Sequence, residues 1–171
     1  METLLCDRSF APAILDILND AIQNSTAVWD YRPRTLTAMT TWFEQKEAGR
    51  FPVIGVVDGG ELLGFATYGT FRAWAGYKYA VEHSLYVAAA HRRRGLGMRL
   101  LEAVIARAVL QGYHTVIGGI AADNVASIRL HERFGFTTCG TIREAGYKFD
   151  RWLDLVFVQY LLPTPNEPRA D

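Results

Sequence analysis

The stretch from Tyr79 to Ala121 narrows the possible folds more than any other part of the chain. "YAVEHSLYVA" (79–88) alternates in character. Val81, His83, Leu85 and Val87 fall on one face and Glu82, Ser84 and Tyr86 on the other, the period of a strand. "HRRRGLGMRL" (91–100) then turns the chain, and Leu100, Leu101, Val104, Ile105 and Ala108 recur as the buried stripe of a helix. "HTVIGGIA" (114–121) is short and nearly all apolar, as an interior strand should be. Strand, helix and strand in this order predict two parallel neighbours joined by a right-handed crossover.

The flanking sequence extends this unit into a mixed α/β sheet. "ETLLCDR" reads as a strand. Ser9 is placed to cap a helix that tolerates Pro12 in its first turn and carries Ile14, Leu15, Ile17, Leu18, Ala21 and Ile22 on one side. "NSTAVWDYRPR" breaks the pattern, and a second helix is expected from Thr35 to about Ala48. "PVIGVVD" and "ELLGFATYGTF" flank "DGG" as a hairpin, followed by a loop at "RAWAGYK". "NVASIRLHERFG" is a helix with Asn124 near its start and Gly135 as its stop. "FTTCGTI" and "KFDRWLDLVFVQYLL" supply the last two strands. The predicted order is β-α-α-β-β-β-α-β-α-β-β, with helices on both faces of the sheet. The 171 residues suit one domain over 1–163, with "TPNEPRAD" (164–171) as a short flexible tail.

Several functions are disfavoured. Lys plus Arg equals Asp plus Glu at 18 each, so the chain lacks the basic excess of a nucleic-acid binder, and the arginines at 92–94 are a local feature. Cys6 and Cys139 stand alone without a Cys/His cluster, which argues against a metal site. No apolar run reaches the ~20 residues of a membrane span. "METLLCDRSF" does not read as a signal segment, so a cytoplasmic protein with reduced thiols is expected.

A strand running through "RRRGLG" into a helix is suited to holding an anion. The first amides of a helix have no intrahelical partner, and the helix dipole adds positive character there. Gly95 and Gly97, on either side of Leu96, remove side chains, and Arg92, Arg93 and Arg94 bring charge. A P-loop string is absent, and a dinucleotide turn would need glycine where Leu100 stands. What remains is R-x-x-G-x-G, a pattern also compatible with a plain turn and a solvated arginine face.

A second motif lies beyond it: "NVASIRLHERFGF" fits N-x-x-S-x-x-L-[YH]-x-x-x-G-F. Together the two resemble the acetyl-coenzyme A core of the GNAT superfamily of N-acetyltransferases. "STAVW", "AVEHSLYV", "SIRLHERFGF" and "KFDRWLDLVFVQ" are further similar to bacterial phosphinothricin and methionine sulfoximine (methionine sulfone) acetyltransferases, over roughly residues 25 to 160. The resemblance implies a GNAT-type fold, with a mostly antiparallel mixed sheet splayed at the cofactor strand. It implies acetyl-CoA as donor, its pyrophosphate on Arg92–Gly97 and its pantetheine arm along Leu85, Tyr86 and Val87. Asn124 and Ser127 would touch that arm, although Asn124 also fits a helix N-cap. Relatives of this type are usually homodimers.

Acetyl transfer to an amine needs a neutral nucleophile, stabilisation of the carbonyl oxygen and a departing sulfur. Glu82, on the face of its strand opposite the apolar set, is the candidate base, with a structural ion pair as the plainer alternative. His131 falls where many relatives carry the tyrosine that protonates the sulfur; it serves as acid or merely bonds a neighbour. The amide of Leu85 or Val87 is the candidate oxyanion donor. Arg72 and Lys78 are candidate ligands for an acceptor carboxylate or phosphinate, with Trp29, Trp74 and Tyr77 as walls. Where relatives commonly show "GDWR" and "KFGRW", this chain has "GTFR" and "KFDRW". The expected reaction is acetylation of the α-amino group of a small amino-acid analogue. Acetylation of a peptide N-terminus or polyamine, or a non-catalytic acyl-CoA sensor, stay open at this point.

Overall fold

The computed structural model describes residues 1–170; Asp171 lies outside the described residues. Among these, seven strands and four helices follow the predicted order: β1 (Glu2–Leu5), α1 (Ala11–Asn24), α2 (Leu36–Ala48), β2 (Val53–Asp58), β3 (Glu61–Thr70), β4 (Ala80–Val87), α3 (Leu96–Leu110), β5 (Thr115–Ala121), α4 (Val125–Phe134), β6 (Thr137–Lys148) and β7 (Arg151–Leu161). One sheet contains all strands in the order β1-β2-β3-β4-β5-β7-β6. Every pairing is antiparallel except β4 with β5, the parallel pair that the β-α-β pattern requires.

Each face of the sheet has its own core. α3 lays Leu96, Leu100, Leu101, Val104 and Ala108 against Ile54, Val56, Ala66, Val81 and Val116. α1 and α2 cover the other face, packing Ile14, Leu18, Met39 and Phe43 on Val57, Leu62 and Phe65. β2 and β3 are thus apolar on both sides, and a bulge at the Val56/Val57 step reverses the alternation along β3, so that Leu63 joins the core of Ala66 and Tyr68 while Leu62 joins that of Phe65. Ile105 and Leu15, expected in the buried stripes, are only half-buried at their margins.

Three local expectations need correction. Ser9 does not cap α1. It lies in a 3-10 turn (Arg8–Phe10) capped by Asp7, whose Oδ1 accepts from the Ser9 amide at 2.9 Å. Two capping residues two positions apart compete, and the upstream carboxylate wins, taking the Ser9 hydroxyl as a further donor at 2.5 Å. β6 does not stop near Ile142: after an irregular step between Ile142 and Gly146 it runs to Lys148. Phe149 and Asp150, expected inside the last strand, form the hairpin turn with φ of 52° and 56°. That left-handed pair matches the twist of a two-residue hairpin, and Asp is among the residues that tolerate it. Within residues 164–170, part of the segment expected as a short flexible tail, two carbonyls are bonded to the chain just before β4 and β5. Tyr79 Oη donates to the Arg169 carbonyl at 3.1 Å, and His114 Nδ1 bonds the Thr164 carbonyl at 2.8 Å.

Candidate active site

β4 and β5 leave the sheet as a fork. Their ladder pairs Ala80 with Thr115, Val81 with Val116 and Glu82 with Ile117, and there it ends, although β4 continues to Val87 and β5 to Ala121. The His83 ring lies over Gly118, where a Cβ would come within 2.6 Å of His83 Cε1. Its Nδ1–H donates to the Ile117 carbonyl at 2.8 Å, one strand across.

A cleft of about 1350 Å³ opens from the fork. Leu85, Tyr86 and Val87 form one wall, and residues 24–27, where α1 ends, form another. The turn into α3 and the facing side of α4 complete it. Gly95 starts α3 in the left-handed conformation, φ 78°, with no side-chain cap. By contrast, Thr35 caps α2 and Asn124 caps α4 through its Oδ1, which accepts from the Ser127 amide at 3.2 Å. The uncapped end of α3 therefore presents its amides to the cleft beside Arg92 and Arg93. Arg99, Arg129 and Arg133 also line it, giving a cationic rim that the "RRR" run alone did not reveal. Coenzyme A carries anionic phosphates and an extended arm, and this donor set and shape fit both.

The predicted donor residues converge here with two adjustments. Arg94 turns aside to His91, Nη1 to Nδ1 at 3.0 Å, and is not among the lining residues. Leu96 serves the core, being 2% exposed. Gly97 has a second reason to lack a side chain, since a Cβ there would sit 2.7 Å from Leu130 Cδ2 where α3 and α4 approach. Arg92 pairs with Asp20 at 3.6 Å, and its Nε donates to the Val87 carbonyl at 3.3 Å.

Glu82 occupies the last rung before the fork, half-buried, with Gly119 backbone beside its carboxylate. Burial raises its pKa above the ordinary carboxylate value, and the Arg72 guanidinium partly offsets this. His131 is buried on α4. Its Nδ1–H donates to the Ser127 carbonyl at 2.7 Å, and its Nε2 faces His83 Nε2 at 2.8 Å. His83, assigned by alternation to the apolar face, is the residue at the fork that sequence reasoning passed over. Its signal was the one ionisable side chain in an otherwise aliphatic row.

The predicted acceptor residues do not form one pocket. Tyr77 stacks with exposed Trp74 and packs edge-on against Phe71, which carries Arg72 over its ring at 5.0 Å. Lys78 lies over Tyr79 at 5.1 Å. Phe71, Tyr77, Tyr79, Ile117, Pro165 and Pro168 line a separate apolar recess of about 430 Å³. Ile117 is the register partner of Glu82. Trp29 goes elsewhere. It fits against Gly146 of β6, where a Cβ would meet its ring at 2.3 Å, and its Nε1–H donates to the Thr26 carbonyl at 2.9 Å. Lys148, also unforeseen, is 4% exposed and donates to the carbonyls of Ile22, Ser25 and Val28 at 2.5, 2.8 and 2.6 Å. It thereby ties the end of α1 and its following loop to the β6–β7 hairpin.

Comparison with known proteins agrees with this geometry. The acetyltransferase (GNAT) family matches residues 13–136. An L-methionine sulfoximine/L-methionine sulfone acetyltransferase of Pseudomonas paraeruginosa is 44% identical over 159 residues, covering 92% of each chain. The solved structure of a putative acetyltransferase from Acinetobacter baylyi superposes with a TM-score of 0.98 at 49% identity, covering 99% of this chain and 97% of that one. A GNAT superfamily phosphinothricin acetyltransferase from Sinorhizobium meliloti, solved in complex with acetyl-CoA, gives a TM-score of 0.93 at 26% identity, covering 98% of this chain and 91% of that one.

Proposed function

Because this chain belongs to the GNAT acetyltransferase family, whose members use acetyl-CoA, we propose that it acetylates the α-amino group of a small amino-acid analogue of the methionine sulfone, methionine sulfoximine or phosphinothricin type. One observation carries the reading: a half-buried carboxylate, Glu82, on the rung where β4 and β5 part, three residues before the stretch of β4 that lines a cleft with an uncapped, arginine-flanked helix start. Acetyl-CoA supplies the activated acetyl thioester when bound. Gly95, Leu96 and Gly97 amides with Arg92 and Arg93 hold its phosphates. The β4 backbone from Leu85 to Val87, with Asn124 and Ser127, orients its arm.

Glu82 takes the ammonium proton of the acceptor, and its raised pKa suits that work near neutral pH. Arg72 holds the acceptor's acidic group, and the apolar recess at Phe71, Tyr77 and Ile117 receives its side chain. His131 returns a proton to the departing sulfur. The protein acts as a homodimer in the cytoplasm. Support for the dimer comes from the edge strand β6 and its hairpin, where Ile142, Phe149 and Trp152 are half or more exposed.

The deciding assay follows thiol release from acetyl-CoA with a panel of amines. Turnover is expected on methionine sulfone, methionine sulfoximine or phosphinothricin and not on polyamines or peptide N-termini. Preference for the latter pair would overturn the acceptor assignment, and binding without turnover on any amine would overturn the enzymatic one.

A further inference from the structure

In a small recess beside the cleft, which shares Leu85, Tyr86, Asn124 and Ser127 with it, two imidazoles meet with their outer nitrogens already engaged. His83 is 6% exposed and His131 3%. His83 Nδ1 lies 2.8 Å from the Ile117 carbonyl, and His131 Nδ1 lies 2.7 Å from the Ser127 carbonyl. A carbonyl oxygen only accepts, so each Nδ1 carries a hydrogen. The two Nε2 atoms then face each other at 2.8 Å, a separation that requires a hydrogen between them. Two neutral imidazoles bring two ring hydrogens, whereas this arrangement uses three. It is satisfied by one excess proton, hence one positive charge spread over two rings.

A neutral pair would have to aim a bare Nδ1 lone pair at the Ile117 or the Ser127 carbonyl. Around the pair stand those two carbonyls, the Ser127 hydroxyl with its Oγ 3.5 Å from His131 Nδ1 and so farther than the carbonyl at 2.7 Å, the Gly118 backbone and the Phe136 ring, which stacks on His83 and meets His131 edge-on. The titratable group facing each imidazole is the other one. Burial lowers the pKa of both, that of His83 to about 4 with the neighbouring imidazole adding to the effect, so the apolar surroundings oppose charge on the pair. The Ile117 and Ser127 carbonyls act in the opposite sense but are the smaller influence, and it is the three short contacts that call for the shared proton.

Resting on the acetyl-transfer reading above, we propose that His83 and His131 store one proton between their Nε2 atoms, and that this proton is the one passed to the leaving sulfur. His83 is the positioning residue that keeps His131 charged for the task. In the transfer an Nε2–H bond breaks, an S–H bond forms and the pair becomes neutral; solvent returns the proton once the cleft is open. The proton taken from the attacking amine leaves at Glu82, on the opposite face of β4, so the two proton routes are kept apart by the strand itself.

The test uses the ¹⁵N-labelled chain without any acyl donor. Long-range proton–nitrogen correlation of the four histidines, assigned by single His→Gln variants, reads the ring hydrogens directly near neutral pH. Three hydrogens on the two buried rings are expected, with one low-field proton coupled to both Nε2 atoms and lost in His83→Gln. Two rings with one hydrogen each would overturn the proposal whatever the activity. The same variant retains an amide donor for His131 but cannot share the proton. Its kcat should fall about a hundredfold, with the KM for acetyl-CoA unchanged within about twofold. The alkaline limb of its kcat profile should move to lower pH. An unchanged kcat and profile would overturn the assigned destination of the proton. Failure of the wild-type chain to acetylate any amine would instead defeat the functional reading, because the ring-hydrogen count is made without substrate.

Discussion

Replacing Lys148 with Met tests how the cleft wall is held. The ammonium donates three bonds, to Ile22 at 2.5 Å, Ser25 at 2.8 Å and Val28 at 2.6 Å, and Ile22 belongs to the last turn of α1, where the helix dipole is negative. Met keeps most of the aliphatic stem, so packing is largely retained while the donors vanish. Each lost charged bond to a buried carbonyl is worth roughly 1.5 kcal/mol, about 4.5 in all. Burial disfavours the ammonium and lowers its pKa, so its removal returns part of this, on the order of 1–2 kcal/mol. The net loss is about 3 kcal/mol, which for a chain of this size lowers Tm by roughly 6–12 °C. Calorimetric or circular-dichroism melting reads the shift. Titration calorimetry should also show weaker acetyl-CoA binding, because residues 24–27 line the cleft. A fall in Tm below about 2 °C, within the range of an ordinary surface substitution, would refute the claim that this one side chain pins the loop.

Glu82→Gln should cut turnover near neutral pH by about a hundredfold or more while leaving acetyl-CoA affinity unchanged. The same variant should melt higher. The folded-state pKa of Glu82 is raised, so its contribution to stability is present below the unfolded pKa and lost as pH rises through the folded one, and Gln removes that loss. Full activity across pH would show that Glu82 is not the base. Arg72→Gln removes the charge that pulls Glu82 down, so the acid limb of the pH–rate profile should move to higher pH; a limb that stays in place would separate the two residues. Gly97→Glu should abolish acetyl-CoA binding in titration calorimetry, since it forces a side chain against Leu130 and a carboxylate into the cleft. Unaltered affinity would place the donor elsewhere.

What the sequence discloses and what it hides divide along the range of the interaction. The parallel β4–β5 pair was legible because its causes are local: an alternating strand, a glycine turn, a striped helix and an apolar strand lie within 43 residues, from Tyr79 to Ala121, whereas the parting of the two strands was implied only by the family resemblance. The uncapped start of α3 was legible for the same reason, as glycine is the residue that best tolerates φ of 78° at Gly95. The β6–β7 turn was not, because Phe149 gives no sign of positive φ, Asp150 only tolerates it, and the step at Gly146 answers to Trp29, far away in the chain. Lys148 reads as one more surface cation until the carbonyls 120 to 126 residues upstream are brought to it. His83 is the sharpest case. Alternation correctly assigned its face but not its neighbour, which lies 48 residues on. A buried imidazole in an aliphatic row is explained only when another polar atom is found for each of its nitrogens. Here that requirement leads from Ile117 to His131 to Ser127, and so ties the fork, the cleft and α4 into one hydrogen-bonded chain.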